Sequence, residues 1–213
     1  MHISEGILSL PVLAAGAALA AAGAGVGLKK LHHDRIPRAG ILSAAFFVAA
    51  LVHVPIGPAS IHLIFNGAVG LLLGWAAFPV ILVALILQAV FFQFGGITTL
   101  GVNTIVMALP AVICYLCFAP FIRKSRVWSV AAAFAAGVLS VFLSGVIVGA
   151  ALMFTEQGFL EIAGLVVVAH IPVMLIEGII TVFLVLFLEK VQPDLLPDRQ
   201  ISKNPGPEGP ALS

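Results

Sequence analysis

Met1 and His2 set an α-amine, a peptide nitrogen and an imidazole in a row at the start of the chain. If the peptide nitrogen gives up its proton, the three close a five-membered and a six-membered chelate ring on one ion. Three nitrogens in a plane suit square-planar or tetragonal Ni(II), Cu(II) or Co(II) far better than Zn or Mg. A fourth nitrogen must then come from elsewhere in the chain. The chelate needs Met1 retained, and the bulk of His2 disfavours enzymatic removal of Met1. It also needs an uncharged amine, with a reference pKa of about 7.7–8.0, so binding is expected to be proton-linked. Alone, Met1-His2 is equally compatible with a frayed, solvated terminus. Only a terminus folded back into the protein makes a site of it.

Other groups able to do chemistry are few: Glu5, His53, His62, His170, Glu177 and the amides Asn66, Gln88, Gln93 and Asn103. His53 lies in V-H-V-P-I-G-P-A-S and His62 in S-I-H-L. Pro55, Gly57 and Pro58 break the chain between them. Either histidine could supply a fourth nitrogen, and either could instead be a packed, hydrogen-bonded core group. The segment Gln93–Asn103, with Gly95, Gly96, Thr98 and Thr99, combines glycine freedom with side-chain oxygens and amides, a composition suited to close approach. His170 and Glu177 stand two turns apart with Pro172 between them. They read as groups supporting the site, as a proton route or as a buried structural pair. His32 and His33, beside Lys30 and Asp34, read as solvated.

The elements that must position these groups belong to a membrane. The chain has 213 residues, 62% of them hydrophobic and only 9% charged, where a soluble domain carries about a quarter charged residues. Apolar runs lie near 7–28, 39–54, 61–77, 78–94, 102–122, 127–154 and 158–188. Crossing a bilayer takes about 20 residues of helix. The third and fourth runs meet at Gly74-Trp75-Ala76-Ala77, which leaves six spans and a re-entrant segment as the alternative to seven. The ten Lys and Arg residues decide for seven. They fall at 29–38, at 123–126 and at 190–203, and seven spans with the N-terminus outside make all three groups cytoplasmic. The sequence thus predicts an all-α polytopic bundle over residues 1–190 and a disordered, proline-rich cytoplasmic tail over 191–213.

Small residues four apart, Gly16, Ala20 and Ala24 and then Gly145 and Gly149, favour close helix contact, within the chain or with a partner. Cys114 and Cys117 read as buried small hydrophobes. A net charge of +1 argues against nucleic acid, and the N-terminus lacks the basic region of a cleaved signal. No P-loop occurs, so ATP is not bound here in that way, and no H-E-x-x-H or G-x-S-x-G occurs. The expectation is a non-catalytic receptor for a borderline metal, without a cofactor. A partner-independent secondary transporter or channel for another small solute is the alternative. An intramembrane metalloenzyme would need a water on the ion and an acid or base beside it.

Three stretches carry a family resemblance: MHISEG at 1–6, VPIGPASIHL at 54–63 and FGGITTLGVNT at 94–104, with LEKVQPDLL at 188–196. The chain resembles the CbiM/NikM family, the substrate-binding S components of energy-coupling factor transporters for cobalt and nickel. The resemblance implies that the N-terminus inserts into the bundle from outside. It implies that Met1 (amine), His2 (peptide nitrogen and imidazole) and His62 hold the ion, with Glu5, Asn103 and the 95–101 loop supporting them. It also implies a transmembrane coupling subunit, a pair of cytoplasmic ATPases, usually a small accessory membrane protein, and a place in the cell membrane. Ile61 and the run Leu63–Asn66 depart from the smaller residues common in the family, which leaves the choice between Co(II) and Ni(II) open.

Overall fold

The computed structural model describes residues 2–51, 53–56, 59–155, 164 and 168–197, and only the backbone of 53–56 and 59–61. Among the described residues seven α-helices are defined: α1 (Leu10–Lys30), α2 (Ile36–Ala49), α3 (Asn66–Leu73), α4 (Ala77–Phe92), α5 (Leu100–Phe118), α6 (Arg126–Met153) and α7 (Ile171–Val191). One hairpin interrupts them, β1 (His53–Ile56) paired antiparallel with β2 (Ala59–His62). Among the described residues, five helical segments are long and apolar enough to cross a membrane, with Asn66–Phe92 counted as one of them. Large side chains such as Phe183 (70% exposed) and Ile41 (71%) line the outside, as expected where the surroundings are lipid.

The segment 66–92 is not one straight helix. Gly74 takes a positive φ of 56° and opens a one-turn 3-10 helix, Gly74–Ala76. A Cβ at Gly74 would lie 2.9 Å from the Tyr115 ring. His62, just before α3, and Gln88, near the end of α4, both meet the ring of His2, His62 Nε2 at 3.1 Å from Nδ1 and Gln88 Oε1 at 2.8 Å from Nε2. The chain therefore doubles back at Gly74–Ala76, and α3 and α4 run in opposite directions. α3 starts at Asn66, later than the apolar run from Ile61 suggests, because the chain from His53 to His62 pairs with itself instead. Self-pairing satisfies the facing backbone groups of the two strands without water, which a non-helical stretch inside a bundle requires.

Two ends of the bundle differ in character. At one end, Lys30 lies over Trp75 at 5.5 Å, Lys124 lies over Trp128 at 5.2 Å, and Arg38 donates to Leu72 O at 2.6 Å and also to Leu195 O. Arg123 donates to Pro193 O at 3.3 Å, and Glu189 accepts from Ser129 at 2.5 Å. The basic residues of two separate connections thus share one end with the segment after α7. The polar segment after α7 begins with a packed turn there: Pro193–Leu195 form a 3-10 helix and Leu196 is buried. The rest of the expected tail, 198–213, lies outside the described residues. At the other end sit His2, the hairpin, Gln88 and Asn103.

Close helix contact is made within the chain. Gly16, Ala20 and Ala24 are all buried in α1, and a Cβ at Gly16 or Gly23 would overlap Val102 or Phe78. Gly137 of α6 faces the Glu177–Gly178 backbone of α7, and Gly145 and Gly149 are buried. Cys114 is buried and donates to Ala136 O, whereas Cys117 is exposed, so the pair is not buried together as expected. On α3, a Cβ at Gly70 would overlap the Ala111 carbonyl. Helix propensity favours Gly→Ala by about 1 kcal/mol, but the obstacle is backbone and cannot rotate away. Overpacking of this kind costs about 1–3 kcal/mol or more, so Gly70→Ala is expected to lower the melting temperature in detergent. An unchanged or higher value would show that α3 and α5 can separate freely.

Candidate metal centre

The N-terminal segment folds back against the non-basic end and is held there at several points. Ile3 is fully buried, and its N–H donates to Asn103 Oδ1 at 2.9 Å while its carbonyl accepts from Asn103 Nδ2 at 3.2 Å. The side-chain amide of Asn103, in the first turn of α5, thereby pairs with residue 3 as a neighbouring strand would. Thr99, itself buried, accepts from Asn103 Nδ2 at 3.2 Å and fixes that amide's orientation. Further out, Glu5 accepts from the Thr98 N–H at 3.0 Å and the Thr98 hydroxyl at 3.3 Å. The Thr98 N–H holds this exposed carboxyl below the ordinary Glu range.

Gly95 and Gly96 make this approach feasible. Both take positive φ, 76° and 121°. A Cβ on Gly95 would lie 2.6 Å from Asn103 Nδ2 and 3.4 Å from the His2 ring, and one on Gly96 would overlap the Glu5 carboxyl. Backbone without side chains is what lets the loop close over the terminal segment.

His2 is 4% exposed and His62 3% exposed, with ring centroids 4.7 Å apart. Their protonation follows from their partners. Gln88 Nε2 faces the Phe47 carbonyl at 3.4 Å, so Gln88 Oε1 faces His2 Nε2 at 2.8 Å and accepts its proton. Leu63 O lies 2.7 Å from His62 Nδ1 and accepts the proton there. In neutral rings the lone pairs then sit on His2 Nδ1 and His62 Nε2, and these two atoms face each other at 3.1 Å. Facing lone pairs repel unless a proton or cation lies between them. Two nitrogens bound about 2.0–2.1 Å from one ion at right angles stand roughly 2.9 Å apart, close to the observed separation. Ring nitrogens aimed by a second hydrogen bond are the usual condition of histidine metal ligands.

Among the described residues, no three side chains of His, Cys, Asp or Glu converge to hold a metal. Met1 lies outside the described residues, as does the side chain of His53; the His53 backbone is the register partner of His62 in the hairpin. His170 is buried at the cap of α7, and Glu177, also buried, holds the chain just after His62. Gln88 is the group that sequence reasoning left unplaced. Its only signal is that it is the single polar residue in the apolar run 78–92.

Comparison with known proteins gives the chain a family. Residues 2–195 match the CbiM family, "Cobalt uptake substrate-specific transmembrane region". A putative metal transport protein of Haemophilus influenzae is 44% identical over 199 residues, covering 92% of this chain and 97% of that one. A putative fused nickel transport protein NikMN of Archaeoglobus fulgidus is 31% identical over 208 residues, covering 92% of this chain and 68% of that one. The crystal structure of a transition metal transporter superposes with a TM-score of 0.72 at 26% identity, covering 90% of this chain and 93% of that one. The chain belongs to the CbiM family of membrane proteins of cobalt and nickel transport.

Proposed function

We propose that this chain captures Co(II) or Ni(II) at the outer face of the cell membrane in a plane of four nitrogens. The Met1 amine, the His2 peptide nitrogen, His2 Nδ1 and His62 Nε2 are the ligands. One observation carries the reading: His2 Nδ1, the only ring atom that can close the six-membered chelate, faces His62 Nε2 at 3.1 Å. Asn103, Thr99 and the Gly95–Gly96 turn hold the terminus in register, and Gln88 fixes which His2 nitrogen faces His62. Glu5, on Thr98, ties the segment down at its exposed edge.

In this reading the chain passes seven times between the two faces, N-terminus outside. The sharing of one end by Lys30, Arg38, Arg123 and Lys124 supports that orientation under the positive-inside rule. The chain is the substrate-binding subunit of an ATP-driven importer of the energy-coupling factor type. A coupling subunit, a cytoplasmic ATPase pair and a small accessory membrane protein complete it. The fused nickel transport relative supports such an assembly. The chain itself is not a catalyst.

Calorimetric titration of purified protein whose mature terminus is Met1, checked by mass spectrometry, tests the capture step. One site per chain is expected for Co(II) or Ni(II). Below the amine's reference pKa of about 7.7–8.0, affinity should fall at least tenfold per pH unit, because binding releases the amine proton and the peptide proton. Affinity independent of pH between 6 and 8 would sink the terminal chelate.

A further inference from the structure

We propose that Glu177 is a positioning residue for His62, acting through the peptide group between Leu63 and Ile64. The inference rests on the reading of His62 as a metal ligand. Glu177 sits in α7, fully buried, and more than a hundred residues separate it from the stretch after β2 that it touches. Its Oε1 accepts from the Ile64 N–H and from the Phe65 N–H at 2.9 Å, and its Oε2 accepts from the Phe65 N–H at 3.1 Å. One carboxyl group therefore holds two consecutive backbone amides, the arrangement in which a short stretch of chain wraps an anion.

The consequence for His62 follows from peptide planarity. The Ile64 N–H and the Leu63 C=O belong to one rigid, trans unit, and they point in opposite directions. Glu177 grips that unit by its N–H. The oxygen at its other end accepts the proton of His62 Nδ1 at 2.7 Å. Fixing the plane fixes the carbonyl, the carbonyl fixes the ring, and the ring then presents Nε2 to His2 Nδ1. The series is a carboxyl–peptide–histidine relay to the ion, and a hydrogen bond accepted from the peptide N–H strengthens the carbonyl of the same unit as an acceptor.

A second observation points the same way. Phe65, a bulky residue, stands in the left-handed region at φ 54° and ψ 14°. Residues rarely adopt that conformation without compensation from their surroundings. The Glu177 carboxyl on the Phe65 N–H supplies it, and lets the chain turn from β2 into α3 without lengthening the loop that carries His62.

The test compares Glu177→Gln in two backgrounds, reading Ni(II) affinity and the d–d absorption of the bound ion. Gln keeps the shape but has one acceptor oxygen for two amides and directs an N–H2 at the other. In the otherwise native chain, Ni(II) affinity is expected to fall about 10-fold to 100-fold, the usual cost of disturbing a group behind a ligand. The absorption should shift toward that of His62→Ala. In the His62→Ala background, Glu177→Gln should change affinity less than twofold, because the ring it aims is gone. An equal loss in both backgrounds overturns the relay and leaves His62 a ligand. Native affinity in Glu177→Gln also overturns it. If His62→Ala itself binds as the native chain does, the four-nitrogen reading fails, and the relay with it. Should Glu177→Gln not fold, Glu177→Asp, one methylene short of reaching both amides, carries the same comparison.

Discussion

A protein extended by one residue ahead of Met1 is expected to lose the high-affinity Co(II) or Ni(II) site that it shares with His62, and to lose transport, while remaining folded. The reason is geometric. In the proposed site the amine, the His2 peptide nitrogen and His2 Nδ1 close two fused chelate rings on the ion, and His62 Nε2, which faces Nδ1 at 3.1 Å, completes the plane. One added residue turns the Met1 amine into a peptide nitrogen and moves the free amine one residue further out. The extended terminus then has four nitrogens of its own, so any ion it binds no longer needs His62. Affinity at the shared site should drop by at least about 100-fold, roughly 2.7 kcal/mol. What remains should be indifferent to His62→Ala. The folded state should survive, because Ile3, Asn103, Glu5 and Thr98 hold the segment downstream of the change. Titration and uptake measurements on the extended protein decide the matter. Binding and transport at native levels, still sensitive to His62→Ala, would exclude the terminal amine as a ligand.

The second large effect separates two histidines that are neighbours in the hairpin. His62→Ala should weaken Ni(II) binding at least 10-fold to 100-fold and replace a nitrogen by water in the plane, shifting the d–d absorption to longer wavelength. His53→Ala should leave both nearly unchanged. His62 is buried, its ring lies against His2, and both its nitrogens are committed. His53 is its backbone register partner in the hairpin. Equal losses in the two variants would mean that the hairpin as a whole, rather than one lone pair, serves the site. The same measurement in the Gly70→Ala protein controls for destabilisation, since that change loosens α3 without touching either ring.

Much of this was legible in the residues because it depends on local or one-dimensional properties. Apolar runs long enough to cross lipid announce the helices, since length and composition alone decide whether a segment can leave water. The Met1-His2 chelate is written in three consecutive nitrogens. The glycines at 95 and 96 announce a loop that something approaches closely, and the terminal segment is what approaches. Where local signals ran out, so did the reading. The apolar run from Ile61 suggested a helix, and hydrophobicity cannot tell a buried hairpin from a buried helix over so few residues. α3 begins only at Asn66.

The tertiary structure alone decided which nitrogens can meet. The residues by themselves offered His53 and His62 as candidates and the family resemblance favoured His62; the fold turns His62 Nε2 toward His2 Nδ1. The free lone pair on each ring depends on a partner that holds the other nitrogen's proton. For His2 that partner is Gln88, 86 residues away on a helix with no other polar group. For His62 it is a backbone carbonyl whose plane is set by Glu177, 113 residues beyond Ile64. A chain can specify donor types by residue identity, but a lone pair's direction is fixed only when helices distant in sequence have packed and each buried polar group has found its partner.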